Sequence, residues 1–487
     1  MGDKKKVFIG VAWPYVNGDL HIGHFAGYLL PADIQARFQR LMGNDVLMVS
    51  GSDCHGTPIT VQADKEGKTA QEIADYYHEH DVDLFLNTLK LSYDLYTRTD
   101  TKHHAQVTQD VFISLLEAGY IFIDTEEQYF SEEEQRFLPD RYIEGKCPFC
   151  GFEGARSDQC DNCGKLLDQG TLINPVSKIS KSEAVLKKTQ HYYLDWTKLQ
   201  PKIEEYVKAV GPNWKDWVYQ ETLGWLREGL KPRAITRDLD WGVAIPTDRI
   251  PKDMQIERPE NKRFYVWFDA VIGYLSASIL WGEENGKDWE EFWYKDQAKG
   301  ADLKHYYFMG KDNLVFHTMF WPGKLMTYDE DLHLPDFPSI NMFLNLDGQQ
   351  FSKSRGVTID TKKMVDDYGN DLVRFYLTLV MPEKNDSSFT WDDFAQKVNS
   401  VLIGTYGNFV HRLLSLLKNV DKDKLQSQSV DDEVTDQINS TYEKAKTNLD
   451  ACEYKLYLES VMNLAIYGNK RLDHVRLWEL KKTNESE

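Results

Sequence analysis

Hydrophobic positions along this chain alternate between two periods. Val7-Phe8-Ile9-Gly10-Val11-Ala12 is a continuous apolar run of the kind that forms a buried strand, and Phe25 to Met42 then places apolar residues at helical spacing. Val46-Leu47-Met48-Val49-Ser50 predicts a second strand, followed by a turn through Gly51 to Pro58 and a helix from about Ile59. Residues from about 70 to 120 read as mostly helical, with Asp-rich and Thr-rich interruptions. His191-Tyr192-Tyr193-Leu194 precedes an amphipathic helical stretch from Ile203 to Leu230, broken near Gly211-Pro212. Phe264 to Ala270 reads as a strand running into a helix, and His305 to Asp312 as a strand ending in a turn before a helix through Phe316 to Trp321. Lys363 to Leu379 is helical, its apolar face held by Asp371 to Tyr376. From Trp391 the pattern is helical almost throughout, with the polar stretch Asp421 to Val434 as a linker. Strands alternating with helices indicate an α/β domain with a parallel sheet.

The unusual side chains cluster where strands turn into helices. Between the first strand and the first helix runs Trp13-Pro14-Tyr15-Val16-Asn17-Gly18-Asp19-Leu20-His21-Ile22-Gly23-His24. Pro14, Asn17, Gly18 and Asp19 supply the turn, and Asp19 or Asn17 the N-cap, so His21 and His24 should fall in the first helical turn. Free backbone N–H groups and the positive end of the helix dipole favour an anion there. Two imidazoles three residues apart can add hydrogen bonds to a phosphate, and Gly23 lets a flat ligand approach the backbone. Four residues of this kind also occur on ordinary surface helices, so the pattern takes its weight from its setting. Asp53, after the second strand, is placed to meet an ammonium, although Asp shortly before Gly is also a common capping turn. Ligands of an open α/β sheet sit beyond the carboxyl ends of its strands, so the loops of Tyr15 and Asp53 should face one crevice.

At 487 residues the chain should hold about three domains. It contains no run of ~18 uncharged apolar residues, and Met1 to Lys6 lacks the apolar core of a signal peptide, so a soluble, cytoplasmic protein without membrane contact is expected. The net charge of −20 argues against a protein that coats nucleic acid nonspecifically. A specific RNA partner would need a local basic surface, for which Lys178, Lys181, Lys187 and Lys188 with Lys397, His411 and Arg412 are candidates. Of six cysteines, Cys54 and Cys452 are expected to be buried thiols. The others form two C-x-x-C pairs, Cys147/Cys150 and Cys160/Cys163, each followed by glycine. Such thiolate turns can close a tetrahedral site around one structural Zn²⁺. No repeat of 20–50 residues is evident.

His21-Ile22-Gly23-His24 together with Gln350-Phe351-Ser352-Lys353-Ser354 resembles the HIGH and KMSKS motifs of class I aminoacyl-tRNA synthetases. Ala12 to Gly18, Asp53-Cys54-His55-Gly56-Thr57-Pro58 and Val266-Trp267-Phe268-Asp269-Ala270 resemble the methionyl branch of that family, in the family's order and over nearly the whole chain. The resemblance implies a Rossmann-like doubly wound parallel sheet of the HIGH-type nucleotidyl transferases, with a zinc-binding insert and a C-terminal α-helical bundle. It divides the chain into a catalytic domain over 1–120 and 237–340, a connective insert over 121–236, a KMSKS-type loop and stem-contact region over 341–395, and an anticodon-binding bundle over 396–487. The chain ends soon after Trp478, where the family's bundle usually continues.

The implied activity is that of a methionine–tRNA ligase, which makes methionyl-adenylate from L-methionine and ATP, with Mg²⁺, and transfers the amino acid to tRNA(Met). His21, His24 and Lys353 carry the family's catalytic roles, and Gly23, Asp312, Ser352 and Ser354 join them around ATP. Ala12, Trp13, Tyr15, Asp53, Trp267, Ala270, Tyr274, His317 and Trp321 correspond to the methionine pocket. Aromatic walls suit a thioether, through dispersion and S···aromatic contacts of ~0.3–1.5 kcal/mol each. Asn408, Arg412 and Trp478 match positions that meet the anticodon. Four departures stand out. The first lysine of KMSKS is Gln350, Trp13 is often leucine, and Val271 is often proline. Where the family often has a second zinc knuckle, Ser131-Glu132-Glu133-Glu134 and Ser177-Lys178-Ile179-Ser180 keep the spacing without the sulfur, so one zinc is expected. Isoleucyl, leucyl and valyl enzymes would carry a much larger editing insertion, and a cysteinyl enzyme would place zinc ligands around its substrate. A non-catalytic RNA-binding relative would explain Gln350, but His21, His24, Asp53 and Lys353 are all retained.

Overall fold

The computed structural model describes residues 4–139, 142–157, 160, 162–163, 165, 167, 170–351, 357–418, 431–476 and 478–479. Its centre is a five-stranded, wholly parallel sheet of β1 (Lys6–Val11), β2 (Asp45–Ser52), β3 (Leu95–Arg98), β4 (Leu303–Gly310) and β5 (Phe337–Asn341), in the order β5-β4-β1-β2-β3. The strands read as continuous apolar runs because helices cover both faces of the sheet. The order reverses at β1. Two neighbouring loops therefore diverge beyond the carboxyl ends of β1 and β4, leaving the crevice in which such sheets bind ligands.

β3 lies within the stretch expected to be mostly helical. Its four half-buried residues, Leu-Tyr-Thr-Arg, are too few to show a period of their own, and pairing with Val49 to Ser52 of β2 sets their conformation. The strand expected over Phe264 to Ala270 is also reduced. It covers only Lys262–Phe264, pairs antiparallel with Thr236–Asp238 outside the central sheet, and gives way to helix at Val266. The helix expected over Lys363 to Leu379 is two helices, Thr361–Tyr368 and Asn370–Leu379, because Gly369 at φ 84° leaves the helical region. Most of the linker expected over Asp421 to Val434 lies outside the described residues, and a helix is already under way at Asp432.

The helix after β1 begins at Ile22–His24, passes through a π-turn at Phe25–Leu29 and continues over Leu30–Leu41. Pro31 supplies the reason for the π-turn. It has no N–H to donate to the Gly27 carbonyl four residues back. That carbonyl instead accepts from Asn341 Nδ2 at 2.8 Å, and Asn341 Oδ1 in turn accepts from the buried ammonium of Lys215 at 2.8 Å. Lys215 Nζ also reaches the Glu383 carbonyl oxygen at 3.3 Å, and the Glu383 carboxylate accepts from the Tyr454 and Lys455 N–H groups at 2.6 and 3.1 Å. Tyr454 opens the long helix Tyr454–Val475, so a buried polar chain ties the C-terminal helices to the first helix of the catalytic sheet.

Between β3 and β4 the chain builds a separate module around the antiparallel pair Ile121–Ser131 and Ala184–Leu194, followed by the helices Trp196–Val210 and Asp216–Glu228. A small core including Tyr129, Leu138, Tyr142, Ile143, Cys147 and Cys160 holds its distal part. Among the described residues no helix is long and apolar enough to cross a membrane.

Candidate active site

A cavity of about 430 Å³ opens beyond the carboxyl ends of β1 and β4, a volume suited to a metabolite rather than a macromolecule. Ala12, Trp13 and Tyr15 line it from the β1 loop, and Asp53 from the β2 loop. The two loops are tied together by the Asp53 N–H donating to the Pro14 carbonyl at 2.8 Å and the Val16 N–H to the Asp53 carbonyl at 3.3 Å. The shared crevice expected for Tyr15 and Asp53 is thus present.

His21 does not sit inside the first helical turn. With φ −104° and ψ 166° it is the N-cap itself, displacing Asp19 and Asn17 from that role. Its own N–H donates to His24 Nδ1 at 3.3 Å, and the His24 N–H donates to the His21 backbone carbonyl at 2.9 Å, so the His24 imidazole meets the N-cap N–H while the return bond is made by the main chain. The two rings lie 4.0 Å apart, and Phe351 stacks on His21 at 4.5 Å. A Cβ on Gly23 would stand 2.8 Å from His21 Nδ1 and 3.1 Å from the Phe351 ring, so only glycine fits between them. The far flank of the second motif is anchored nearby, with the Ile22 N–H donating to the Ile359 carbonyl at 3.3 Å and Thr361 Oγ1 to the Leu20 carbonyl at 3.1 Å. Both flanks of the Gln350-Phe351-Ser352-Lys353-Ser354 motif therefore lie against the His21 end of the helix. Ser352, Lys353 and Ser354 lie outside the described residues.

Asp53 is 3% exposed, and its carboxyl group is held well above the usual carboxylate range, first by burial and then by the negative charge of Asp269. Asp269 is also buried and raised by burial, with His55 working in the opposite direction. Asp312, at the end of β4, lines the cavity and is likewise raised by burial.

Trp267, Ala270 and Tyr274 form the facing wall. Tyr15 meets the Trp267 ring edge-on at 6.1 Å, and Phe316 backs Trp267 in a stack at 4.5 Å. Phe316 and His317 lie in another π-turn, Phe316–Phe320, which like the one at Phe25–Leu29 precedes a proline, Pro322. His317 Nδ1 bonds the Asn313 carbonyl at 3.0 Å and Nε2 meets the Tyr274 hydroxyl at 2.8 Å. This assigns the proton to Nδ1 and makes Nε2 the acceptor. Burial pushes the His317 imidazole down to about 4, so it is neutral at pH 7 and presents no charge to an apolar side chain.

Trp321 is fully buried with its ring 6.0 Å from that of Tyr274, behind the wall rather than on it. Trp13 is admitted by glycines. A Cβ on Gly51 would lie 2.3 Å from Trp13 Cζ3, and one on Gly273 would lie 2.6 Å from Trp13 Cε2. Val271 lines the cavity beside them. Sequence reasoning missed Tyr28, Asn313, Met342 and Phe343, which also line it. Tyr28 could have been found, since it stands four residues after His24 on one helical face. Met342 and Phe343 follow β5 and carry no local signal.

In the insert, the four sulfurs of Cys147, Cys150, Cys160 and Cys163 lie within 4.8 Å of one another. Cys147 and Cys163 are 3.9 Å apart and Cys150 and Cys160 3.6 Å, close to the ~3.8 Å edge of a tetrahedron with Zn–S bonds of ~2.3 Å. The donor set fits zinc. At the second pair of turns Glu134 occupies the centre. Its carboxylate accepts from the Ser177 hydroxyl, from Ser180 Oγ at 2.7 Å and from Arg136 Nε at 2.9 Å, while Ser131 Oγ meets Ser182 Oγ at 2.9 Å. Burial would raise Glu134, but these donors outweigh it and hold the carboxyl below its ordinary value.

In the C-terminal helices Arg412 bonds Asn469 Oδ1 at 3.1 Å and pairs with Asp473, Asn408 Nδ2 meets Asn469 Oδ1 at 3.4 Å, and the Arg412 guanidinium lies 5.8 Å from the Trp478 ring. These three candidate residues form one cluster, and Trp478 is 37% exposed. Lys181, Lys187 and Lys397 pair instead with local carboxylates, Glu144, Glu132 and Asp393.

The family model for tRNA synthetases class I (M) matches residues 7–414. The methionine–tRNA ligase of Roseiflexus sp. (strain RS-1) is 43% identical over 485 residues, covering 98% of this chain and 80% of that protein. The methionine–tRNA ligase of Thermoplasma volcanium is 41% identical over 485 residues, covering 99% and 86%. The fold resembles that of Mycobacterium tuberculosis methionyl-tRNA synthetase in complex with methionyl-adenylate, with a TM-score of 0.75 and 23% identity over 98% of this chain and 85% of that one.

Proposed function

Because the chain belongs to the class I (M) tRNA synthetases, we propose that its cavity performs that family's chemistry as a methionine–tRNA ligase. It activates methionine with ATP, releasing pyrophosphate, and transfers the methionyl group to the 3′ end of tRNA(Met). The observation that carries the assignment of sites is the convergence of Asp53, the His21/His24 helix start and the Phe351 flank on one cavity.

The methionine ammonium pairs with Asp53, which leaves the carboxylate directed at the nucleotide. The side chain runs between Trp13, Tyr15 and Trp267 towards Tyr274, whose hydroxyl is held by neutral His317. When the methionine carboxylate attacks the α-phosphate, negative charge builds on the phosphate oxygens and on departing pyrophosphate. Donors fixed before the reaction stabilise this charge without reorganising. His21, His24 and the backbone at Gly23 supply one side, and Lys353 with Ser352 and Ser354 the other. Mg²⁺ accompanies ATP and carries part of the phosphate charge. The second step needs only that the terminal ribose hydroxyl of tRNA reach the activated carbonyl, with AMP as leaving group. We assign 1–120 and 237–340 to the catalytic domain, 121–236 to a zinc-bearing insert, 341–395 to the phosphate loop and stem contact, and 396–487 to anticodon recognition, in a cytoplasmic protein.

The test is ATP–pyrophosphate exchange with a panel of amino acids. Methionine should drive exchange without tRNA, and isoleucine, leucine, valine and cysteine should not. Lys353→Ala should slow methionine-dependent exchange by ~10²–10³-fold with methionine binding nearly unchanged. Exchange driven by another amino acid would overturn the assignment, and an unimpaired mutant would remove Lys353 from it.

A further inference from the structure

Two walls of the methionine cavity are joined by one buried lysine. Lys324 lies on the helix Trp321–Tyr328, which continues the π-turn carrying Phe316 and His317. It is 2% exposed and does not line the cavity itself. Its side chain crosses to the segment Val266–Asp269 of the facing wall. There Nζ donates to the Phe268 carbonyl at 2.8 Å and to the Trp267 carbonyl at 3.4 Å, and stands 4.4 Å from the centre of the Phe268 ring. Burial disfavours the charge of this amine, and Asp269 supports it. Burial is also what chiefly keeps His317 neutral, and the charge of Lys324 works in the same direction.

Stability alone gives no reason for a lysine at this position. A buried amine loses its hydration, carbonyl dipoles restore only part of it, and an apolar side chain of similar length carries no such cost. The surroundings supply a reason. Trp267 lines both the methionine cavity and a further cavity of about 270 Å³, which Phe268, Phe316 and Lys324 also line. Apart from the Phe316 ring stacked on it at 4.5 Å, an indole that borders two cavities lacks many of the close-packed neighbours that fix a ring in a core. Its main chain must therefore do part of the holding. Lys324 grips the carbonyls of Trp267 and of the next residue from the His317 wall, and the Tyr274 hydroxyl, 2.8 Å from His317 Nε2, makes a second tie between the same two walls.

We propose that Lys324 is a positioning residue for methionine: by gripping the Trp267 and Phe268 carbonyls it holds the Trp267 indole against the amino acid side chain. It touches neither the methionine cavity nor the groups that face the phosphates, so it acts through Trp267 alone. This inference rests on the ligase reading above and adds to it a residue outside the pocket that sets one of its walls.

The experiment compares the full chain with Lys324→Met, which keeps the length of the side chain and removes its donor. In methionine-dependent ATP–pyrophosphate exchange the KM for methionine should rise ~10-fold while kcat and the KM for ATP stay within ~2-fold, the pattern left when binding is lost equally from ground and transition states. Calorimetric titration of methionine should show the same ~10-fold loss of affinity. The variant should melt at or above the temperature of the parent, because it has no buried amine to desolvate. An unchanged KM for methionine overturns the proposal. So does a lowered melting temperature with kcat and both KM values impaired alike, which is what a merely structural lysine would give. A parent chain without methionine-dependent exchange would instead overturn the ligase reading.

Discussion

His55 Nδ1 stands 2.7 Å from Asp269 Oδ2, with both side chains buried directly behind Asp53. The pair supports the backbone that presents Asp53, whose Oδ1 accepts from the His55 N–H at 3.3 Å. Burial and the charge of Asp269 both oppose ionisation of Asp53, so in the unliganded site this carboxyl keeps its proton to a higher pH than an ordinary carboxylate does, and a bound ammonium favours its release. Methionine affinity should therefore rise with pH up to the raised pKa of Asp53, at up to tenfold per unit and with release of a proton, and then level off. Stability responds with the opposite sign. A raised carboxyl pKa means the folded state holds more protons on this group above about pH 3.9, so the contribution of Asp53 to stability is greatest below that point and declines as pH rises through the folded pKa. Calorimetric titration of methionine across pH checks the binding arm, and an affinity that fails to rise with pH above the ordinary carboxylate range would count against it. Asp53→Asn should abolish the dependence.

Gly51→Ala should damage the methionine pocket from behind. The added Cβ would lie 2.3 Å from Trp13 and 2.6 Å from the Thr97 carbonyl, and neither β3 nor the indole has room to yield. The expected loss is about 1–3 kcal/mol of stability, with a higher KM for methionine and little change for ATP. Denaturant unfolding and exchange kinetics test both, and a variant as stable as the parent would contradict the packing described.

Metal analysis of purified protein should return one zinc per chain. Cys150→Ser should release it and loosen the insert, because a structural zinc contributes folding free energy directly. Two zincs would mean that the turns around Glu134 bind metal after all. None would discount the four-cysteine site, whose sulfur spacings of 3.6 and 3.9 Å motivate it.

Trp478→Ala should leave melting and methionine activation unchanged, since the ring is 37% exposed beside Arg412 rather than packed in a core. Loss of one stacked anticodon base should lower kcat/KM for tRNA(Met) charging by ~1–3 kcal/mol, about 5-fold to 150-fold. Equal charging of CAU and altered anticodons by the parent would remove this cluster from recognition.

The sequence by itself determined the parts whose signal is local. Val7 to Val11 and Tyr306 to Gly310 lie in strands and are legible as such because they are continuous runs without a charged residue, as a sheet covered on both faces requires. The cysteine pairs read as a metal site because spacing and residue type alone bring sulfurs into a turn. Tertiary structure decided the rest, wherever a residue's conformation depends on a partner far along the chain. Leu95 to Arg98 becomes a strand only against β2, and His21 becomes the cap because its partners are His24 and the Ile359 to Thr361 segment. The π-turns that precede Pro31 and Pro322 are an intermediate case. Pro31 and Pro322 are visible in the sequence, but what a freed carbonyl will meet is not, and only the folded chain brings Asn341 to Gly27. Trp321 is the reverse, an aromatic residue in the right stretch whose fully buried ring lies 6.0 Å from that of Tyr274, which lines the cavity. Periodicity specifies which face of an element is buried, whereas which buried face borders a cavity depends on how elements distant in sequence pack together.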